Sequence, residues 1–155
     1  MKLVKLLAVA VVTLGVAGGA VVPATASTTT VPKALRGTYY TYQGHHKWVS
    51  LKVAAHKVTL HYPGSKSEVL TPNAKNKAKR LSYKKKGKYF TFNSKITFAE
   101  QSSFPKDGMK LTSRKIGKKH YQVIRGYSNR YQYDFIKGKK VNNAYNHLVK
   151  GAYLS

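Results

Sequence analysis

Acid–base or metal chemistry in this chain would have to come from four carboxylates, Glu68, Glu100, Asp107 and Asp134, and six histidines. A glycosidase needs two separated carboxyl groups, and Glu68 with Glu100 is the pair to consider, though both adjoin Ser-rich, loop-like sequence. A basic secreted nuclease would pair a glutamate with a histidine, here Glu100 with His120. For metal binding the spacing is poor. His45 and His46 are adjacent and would point to opposite faces of a strand, and His56 and His61 differ by an odd number. His120 and His147 have no ligand-type neighbour, and no H-E-x-x-H or H-x-H run occurs. The absence of Cys excludes disulfides, thiolate zinc sites and cysteine nucleophiles. No G-x-S-x-G elbow, phosphate-cradling G-x-x-x-x-G-K-[ST] loop or G-x-G-x-x-G turn appears. The expectation is a protein that is not an enzyme, with no catalytic residues, no cofactor and no metal.

Lysine carries the stronger signal. Lys and Arg number 29 against four acidic residues, for a net charge of +25 on 155 residues. Solubility alone is served by a net charge of roughly 2–8 on a small domain, so this excess predicts electrostatic attraction to polyanions. The lysines cluster at Lys75–Arg80, Lys84–Lys88, Lys118–Lys119 and Lys137–Lys140. The polyanion-binding residues expected from this are Lys84, Lys85, Lys86, Lys88, Lys118, Lys119, Lys139 and Lys140. Twelve tyrosines are the second signal, suited to half-buried strands or to an aromatic face that stacks rings.

The elements that must position these residues begin with a leader. Met1–Lys5 is a short basic segment, Leu6–Val22 carries no charge, and Ala24-Thr25-Ala26 supplies a small-residue cleavage pattern. Residues 1–26 are therefore expected to be a signal peptide, with 27–35 a Ser/Thr-rich tether and 36–155 a single domain. Removing Lys2 and Lys5 with the leader would leave 27 basic side chains against four acidic ones. The expected product is secreted, monomeric and retained at the cell surface without a covalent anchor.

The remainder reads as short strands separated by Gly, Asn and Lys-Gly turns. They run Arg36–Gln43 with a Gly44-His45 turn, His46–Ala54, His56–Tyr62, Arg80–Lys85, Lys88–Asn93, an Ile96/Phe98 alternation, Met109–Ile116, Lys119–Arg125 and Tyr127–Phe135. Lys86-Gly87 and Gly117-Lys118 are hairpin turns in this reading. Within the last strand Tyr127, Asn129, Tyr131, Tyr133 and Phe135 would share a face. Thr71–Lys79 reads as a loop or short surface helix, and Val141–Lys150 has apolar residues at helical spacing, which predicts a short C-terminal helix. The fold expected is all-β, a small antiparallel up-and-down β-barrel of eight or nine strands.

The stretch Val31-Pro32-Lys33-Ala34-Leu35-Arg36-Gly37-Thr38-Tyr39-Tyr40 resembles the opening of small secreted proteins of lactic-acid bacteria, which typically begin with P-x-x-L/F-R-G-T-W/Y-Y after the signal. It is also distantly similar to the G-x-W opening of lipocalin-type (calycin) barrels. That resemblance implies that Gly37 and Tyr39 form the barrel floor, with Arg125 or Arg130 as the late-strand cation stacked on the floor aromatic. It implies no activity. The function expected is therefore that of a cationic binding protein. It would associate with anionic cell-envelope polymers or acidic lipid headgroups, bind nucleic acid only non-specifically, and hold a small apolar ligand if the barrel is hollow. A nuclease-like hydrolase and a cationic membrane-active antagonist are the alternatives.

Overall fold

The structure, a computed structural model, describes residues 28–93 and 102–148. The expected signal peptide, the Ile96/Phe98 alternation and Glu100 lie outside the described residues. Ten strands form one curled sheet: β1 Gly37–Gly44, β2 Lys47–Val53, β3 Val58–His61, β4 Glu68–Leu70, β5 Lys84–Lys86, β6 Tyr89–Thr91, β7 Met109–Ile116, β8 Lys119–Ser128, β9 Tyr131–Lys137 and β10 Asn146–Leu148. The spatial order is β4-β3-β2-β1-β9-β8-β7-β6-β5, with β10 also on β9. The fold is thus all-β and antiparallel, consistent with a small β-barrel.

Two meanders, β1–β4 and β5–β9, are joined where β1 meets β9 through the pairs Tyr39–Lys137 and Tyr40–Ile136. Nine strands in an antiparallel series cannot close with antiparallel pairs alone, because an odd number leaves one neighbouring pair pointing the same way. Strand sense puts that mismatch between β4 and β5. There the described contact is a parallel bridge, Thr71 to Arg80, with the Thr71 amide donating to the Lys79 carbonyl at 3.1 Å and the Leu81 amide to the Thr71 carbonyl at 2.9 Å. The crossing segment holds a 3-10 turn at Lys77–Lys79, capped by the Asn76 side chain, in agreement with the loop or short helix expected there.

Alternation sorts the side chains. Tyr39, Val49, Leu51, Val53, Val58, Leu60, Leu70, Phe90, Phe92, Met109, Ile124 and Phe135 are buried in one interior cluster. Each large apolar side chain so buried contributes roughly 1.5–3 kcal/mol. The segment expected as a tether is built into the fold. Thr28 bridges to Tyr83, the Val31 amide donates to the Ala55 carbonyl, and Val31 and Leu35 are buried.

Several local expectations are corrected. The β1–β2 turn is His45-His46, both at positive φ (48° and 54°), not Gly44-His45, so the histidines are turn residues and not strand residues. The β5–β6 turn is Gly87-Lys88, one residue later than read, with Lys86 paired to Tyr89. Gly117-Lys118 is the turn between β7 and β8 as expected. The long Tyr127–Phe135 strand is broken at Asn129-Arg130, where positive φ values of 50° and 67° mark a two-residue hairpin turn. The break reverses the faces: Tyr127 pairs with Gln132 on the outside, and Tyr133 and Phe135 point inward. Tyr131, expected to share a face with Tyr133 and Phe135, is 51 % exposed.

The C-terminal helix is also replaced. Residues 146–148 pair with β9 as β10, and 141–145 are irregular. β1 pairs with only Ile136 and Lys137 of β9, so the other end of that strand edge is open to a further strand. The Asn142-Asn143 pair, weak in helices, leaves the chain free to take that ladder.

Tyr39 lies at the end of the barrel where β1 starts. Its side chain is fully buried, its hydroxyl donates to the Leu35 carbonyl at 2.9 Å, and burial pushes its pKa up to about 12. The cation on its ring is Lys137, at 5.6 Å, whose ammonium donates to Gln122 Oε1 at 2.8 Å. Arg125 faces outward and Arg130 sits in a turn, so neither takes the stacking place expected of them. Gly37 takes a φ of +139°, which strains any L side chain, and a Cβ there would also stand 2.8 Å from the Lys137 Cε and displace that side chain.

Tyr39→Ala is expected to destabilise by about 3–5 kcal/mol in denaturant titrations, and Tyr39→Phe by only about 1 kcal/mol, the value of its hydrogen bond. Because the folded state holds the phenol proton more tightly than the unfolded chain, stability is full below pH 10 and falls as pH rises toward 12. The loss should be on the order of 2 kcal/mol and smaller in Tyr39→Phe, read from unfolding midpoints at alkaline pH.

Candidate polyanion-binding surface

Strand sense fixes where the turns lie. The ends of β5, β7 and β9 and the start of β1 all fall on the Tyr39 side of the barrel. This closed end therefore collects Lys86 and Lys88 from the β5–β6 hairpin, Lys118 and Lys119 from the β7–β8 hairpin, and Lys139 and Lys140 after β9. All are exposed. Lys84 and Lys85 continue the row along β5, a three-residue strand exposed throughout. Beyond the last residues paired with β9, the β7–β8 hairpin continues for several pairs, down to Ile116–Lys119. Lys118 and Lys119 thus stand on a projection.

Register adds cations that sequence clustering missed. Lys86, Tyr89, Lys110, Arg125 and Asp134 are successive cross-strand neighbours from β5 to β9. With strands about 4.8 Å apart, Lys86 to Arg125 spans about 14 Å of the outer face. The Lys110 ammonium lies 6.0 Å from the Tyr89 ring and 5.9 Å from the Tyr127 ring, and those rings meet edge-on at 5.7 Å. The Lys88 ammonium also lies over the Tyr89 ring, at 5.6 Å. A second group forms outside β1 and β2. There the Lys140 ammonium sits 5.4 Å from Tyr40 and 5.2 Å from Trp48, and Trp48 packs on Tyr42 at 5.7 Å. The Trp48 indole N–H donates to the Val141 carbonyl at 3.1 Å, which fixes the ring. Cation–π contacts of this kind contribute about 0.5–1 kcal/mol at exposed sites, enough to bias where a long lysine rests. The sequence signal for Lys110 was slight: one lysine between the buried Met109 and Leu111.

The described carboxylates lie elsewhere and are engaged. Glu68 accepts from the Ser102 hydroxyl and the Ser103 amide, both at 2.8 Å, and Asp107 accepts from the Asn129 amide at 2.9 Å. Both stand toward the opposite, open end. Asp134 is 1 % exposed on the outer face. Arg125 approaches it through Nε at 2.6 Å and Nη2 at 2.9 Å, and Arg114 through Nε at 2.5 Å. The hydrogen bond to Asp134 raises the Arg125 pKa. The Arg114 guanidinium carbon lies 4.3 Å from the Tyr145 ring, so the C-terminal segment passes over this pair. Val123 and Ile136, neighbours on the same outer face, are buried without belonging to the interior cluster. The closed end is thus left with lysines and no described carboxylate.

The enzymatic pairs are not assembled among the described residues. Glu68 spends both oxygens on a loop, Glu100 lies outside the described residues, and His120 is exposed in the β7–β8 hairpin. No group of three or more His, Asp or Glu stands at metal-binding distance among the described residues. The described helices include none long and apolar enough to cross a membrane. Comparison with protein-family models, with characterised proteins and with solved structures gives no match to this chain.

Asp134→Ala should destabilise by about 3–5 kcal/mol, since it leaves two partly buried guanidinium groups facing each other without a counter-charge. The unfolding midpoint in urea reads this directly. A loss below about 0.5 kcal/mol would mean that the arginines swing into solvent and that the pair holds nothing together.

Proposed function

We propose that this protein is a secreted cationic β-barrel that binds phosphate-bearing anionic polymers of a cell envelope through its closed end and the outer face beside it. The observation that carries this reading is the separation of charge. Every described carboxylate is engaged by a donor and lies in mid-face or at the open end, whereas the lysines of three turns share one end. Attraction to a polyanion is then local as well as global.

The ring-stacked lysines support the same reading. Lys88, Lys110 and Lys140 rest against tyrosine or tryptophan faces, so less rotamer entropy is lost when each meets a phosphate. The interior offers no comparable argument for an apolar ligand: Leu51, Leu60, Phe92 and Phe135 fill the barrel above Tyr39.

Binding to a poly(glycerol phosphate) chain should weaken linearly in log affinity with log salt. If six lysines engage, the fall between 50 and 200 mM salt is roughly a thousandfold, on the guide of duplex DNA. Replacing Lys118, Lys119, Lys139 and Lys140 together by Gln should flatten that slope by about 0.9 for each lysine that had met a phosphate, with the melting temperature retained. Binding that ignores these substitutions would overturn the proposed surface, and hydrolysis of the polymer or of added RNA would replace binding by catalysis.

A further inference from the structure

The end of the barrel opposite the lysine turns is built differently among the described residues. A cavity of about 470 Å³ lies there, within the roughly 300–1,000 Å³ of small-molecule sites, and the mouths of β-barrels are a recurrent place for such sites. Its wall includes Gln43, Tyr62, Phe104, Asn129, Tyr133 and Asn146. We propose that this mouth binds an uncharged polyhydroxylated small molecule, a mono- or disaccharide.

Four observations converge on that chemistry. First, the wall is arranged by specific backbone features. The β1–β2 register slips between Tyr42 and Gly44, a bulge that leaves Gln43 unpaired at the rim. β10 brings Asn146 alongside Tyr133, and the Asn129-Arg130 turn carries Asn129 to the same rim. The loop at 102–108 is drawn across the mouth by Glu68, by the Asp107 amide donating to the Tyr127 carbonyl, and by Pro105 on Gly126, where a Cβ would come within 2.7 Å of the proline ring.

Second, the polar groups are uncommitted donors and acceptors. Among the described residues no hydrogen bond is made by the Tyr62 or Tyr133 hydroxyl, although both rings pack against the interior cluster. Burial raises both phenol pKa values, with Glu68 adding to it for Tyr62, and Tyr62 and then Asp107 for Tyr133, so the hydroxyls stay neutral and able to donate. With the amides of Gln43, Asn129 and Asn146 they offer both donors and acceptors, the complement of a sugar's hydroxyl groups.

Third, the mouth carries charges of both signs rather than a field of one sign: Lys106 lines it, with Glu68 and Asp107 close by. Glu68 and Asp107 each accept a hydrogen bond from a backbone amide, at 2.8 and 2.9 Å. Fourth, aromatic side chains stand among the polar groups: the partly buried Tyr62 and Tyr133 line the cavity over the buried Phe104, which suits the apolar C–H side of a pyranose. An acyl chain would strand the amides and phenols without partners, at a cost for each.

This site is independent of the polyanion surface, and salt separates the two. Calorimetric titration of the protein with maltose and with N,N′-diacetylchitobiose should show saturable binding by at least one. That binding should be unchanged between low and high salt and in the four-lysine Gln variant. Tyr133→Phe and Gln43→Ala should each weaken it by about tenfold, the loss of one well-placed hydrogen bond. The Gln43 side chain is exposed, so Gln43→Ala keeps the test interpretable if Tyr133→Phe lowers the melting temperature. No heat from either disaccharide up to about 10 mM, binding equal in both variants, binding that disappears with salt, or saturable uptake of a fatty acid in its place would each overturn the proposal.

Discussion

A short junction holds the two halves of this fold together. The β1–β9 ladder has two pairs, Tyr39–Lys137 and Tyr40–Ile136, extended by the Gly138 amide donating to the Thr38 carbonyl, yet that contact converts two meanders into a curled, nearly closed sheet. The contact is reinforced on both faces. Inside, Gly37 makes room for Lys137, whose ammonium lies over the Tyr39 ring and bonds Gln122. Outside, Ile136 and Val123 are buried beside Asp134 and its two arginines. A lysine is unusual at such a place, but its apolar stem can pack while its head reaches one amide oxygen. The position of the floor and the common end of the lysine turns both follow from this junction.

What the sequence made legible was whatever depends on alternation. Within strands the sequence placed, Val49, Leu51, Val53, Val58, Leu60, Phe90 and Phe92 follow period two and are buried, because one face of each strand has nowhere else to go. The all-β class follows from the same signal. What failed was turn placement: Lys86-Gly87 slipped by one residue, and the larger errors fell where neither turn residue is glycine. His45-His46 and Asn129-Arg130 place ordinary L-residues at positive φ, which the right-handed twist of a tight hairpin demands and which composition does not announce. The second of these errors moved Tyr127 to the wrong face. Val141–Lys150 failed for a different reason: its helical spacing competed with an unfilled strand edge, and tertiary pairing won.

The candidate surface was half legible. Lysine runs such as Lys84–Lys88 stand out along the chain, but only strand sense shows that alternate turns share an end. Lys110 and the rings of Tyr89 and Tyr127 are remote in sequence and meet solely through register. The burial of Asp134 was also unreadable, because a single acidic residue among arginines on neighbouring strands looks like any solvated charge until the pairing is known. Its engagement is nonetheless what leaves the lysine turns without a competing carboxylate among the described residues.

The odd strand count has a further consequence, for the order in which the molecule opens. Between β4 and β5 the described residues supply one parallel bridge and the crossing segment rather than a ladder, and both strands are only three residues long. Amide protons along that seam are covered by few cooperative hydrogen bonds, whereas those of β7, β8 and β9 sit within long ladders. Hydrogen exchange would therefore divide the barrel into a slow half and a fast lip. The lip would breathe at a free energy well below that of global unfolding, so the barrel can change girth without separating β1 from β9.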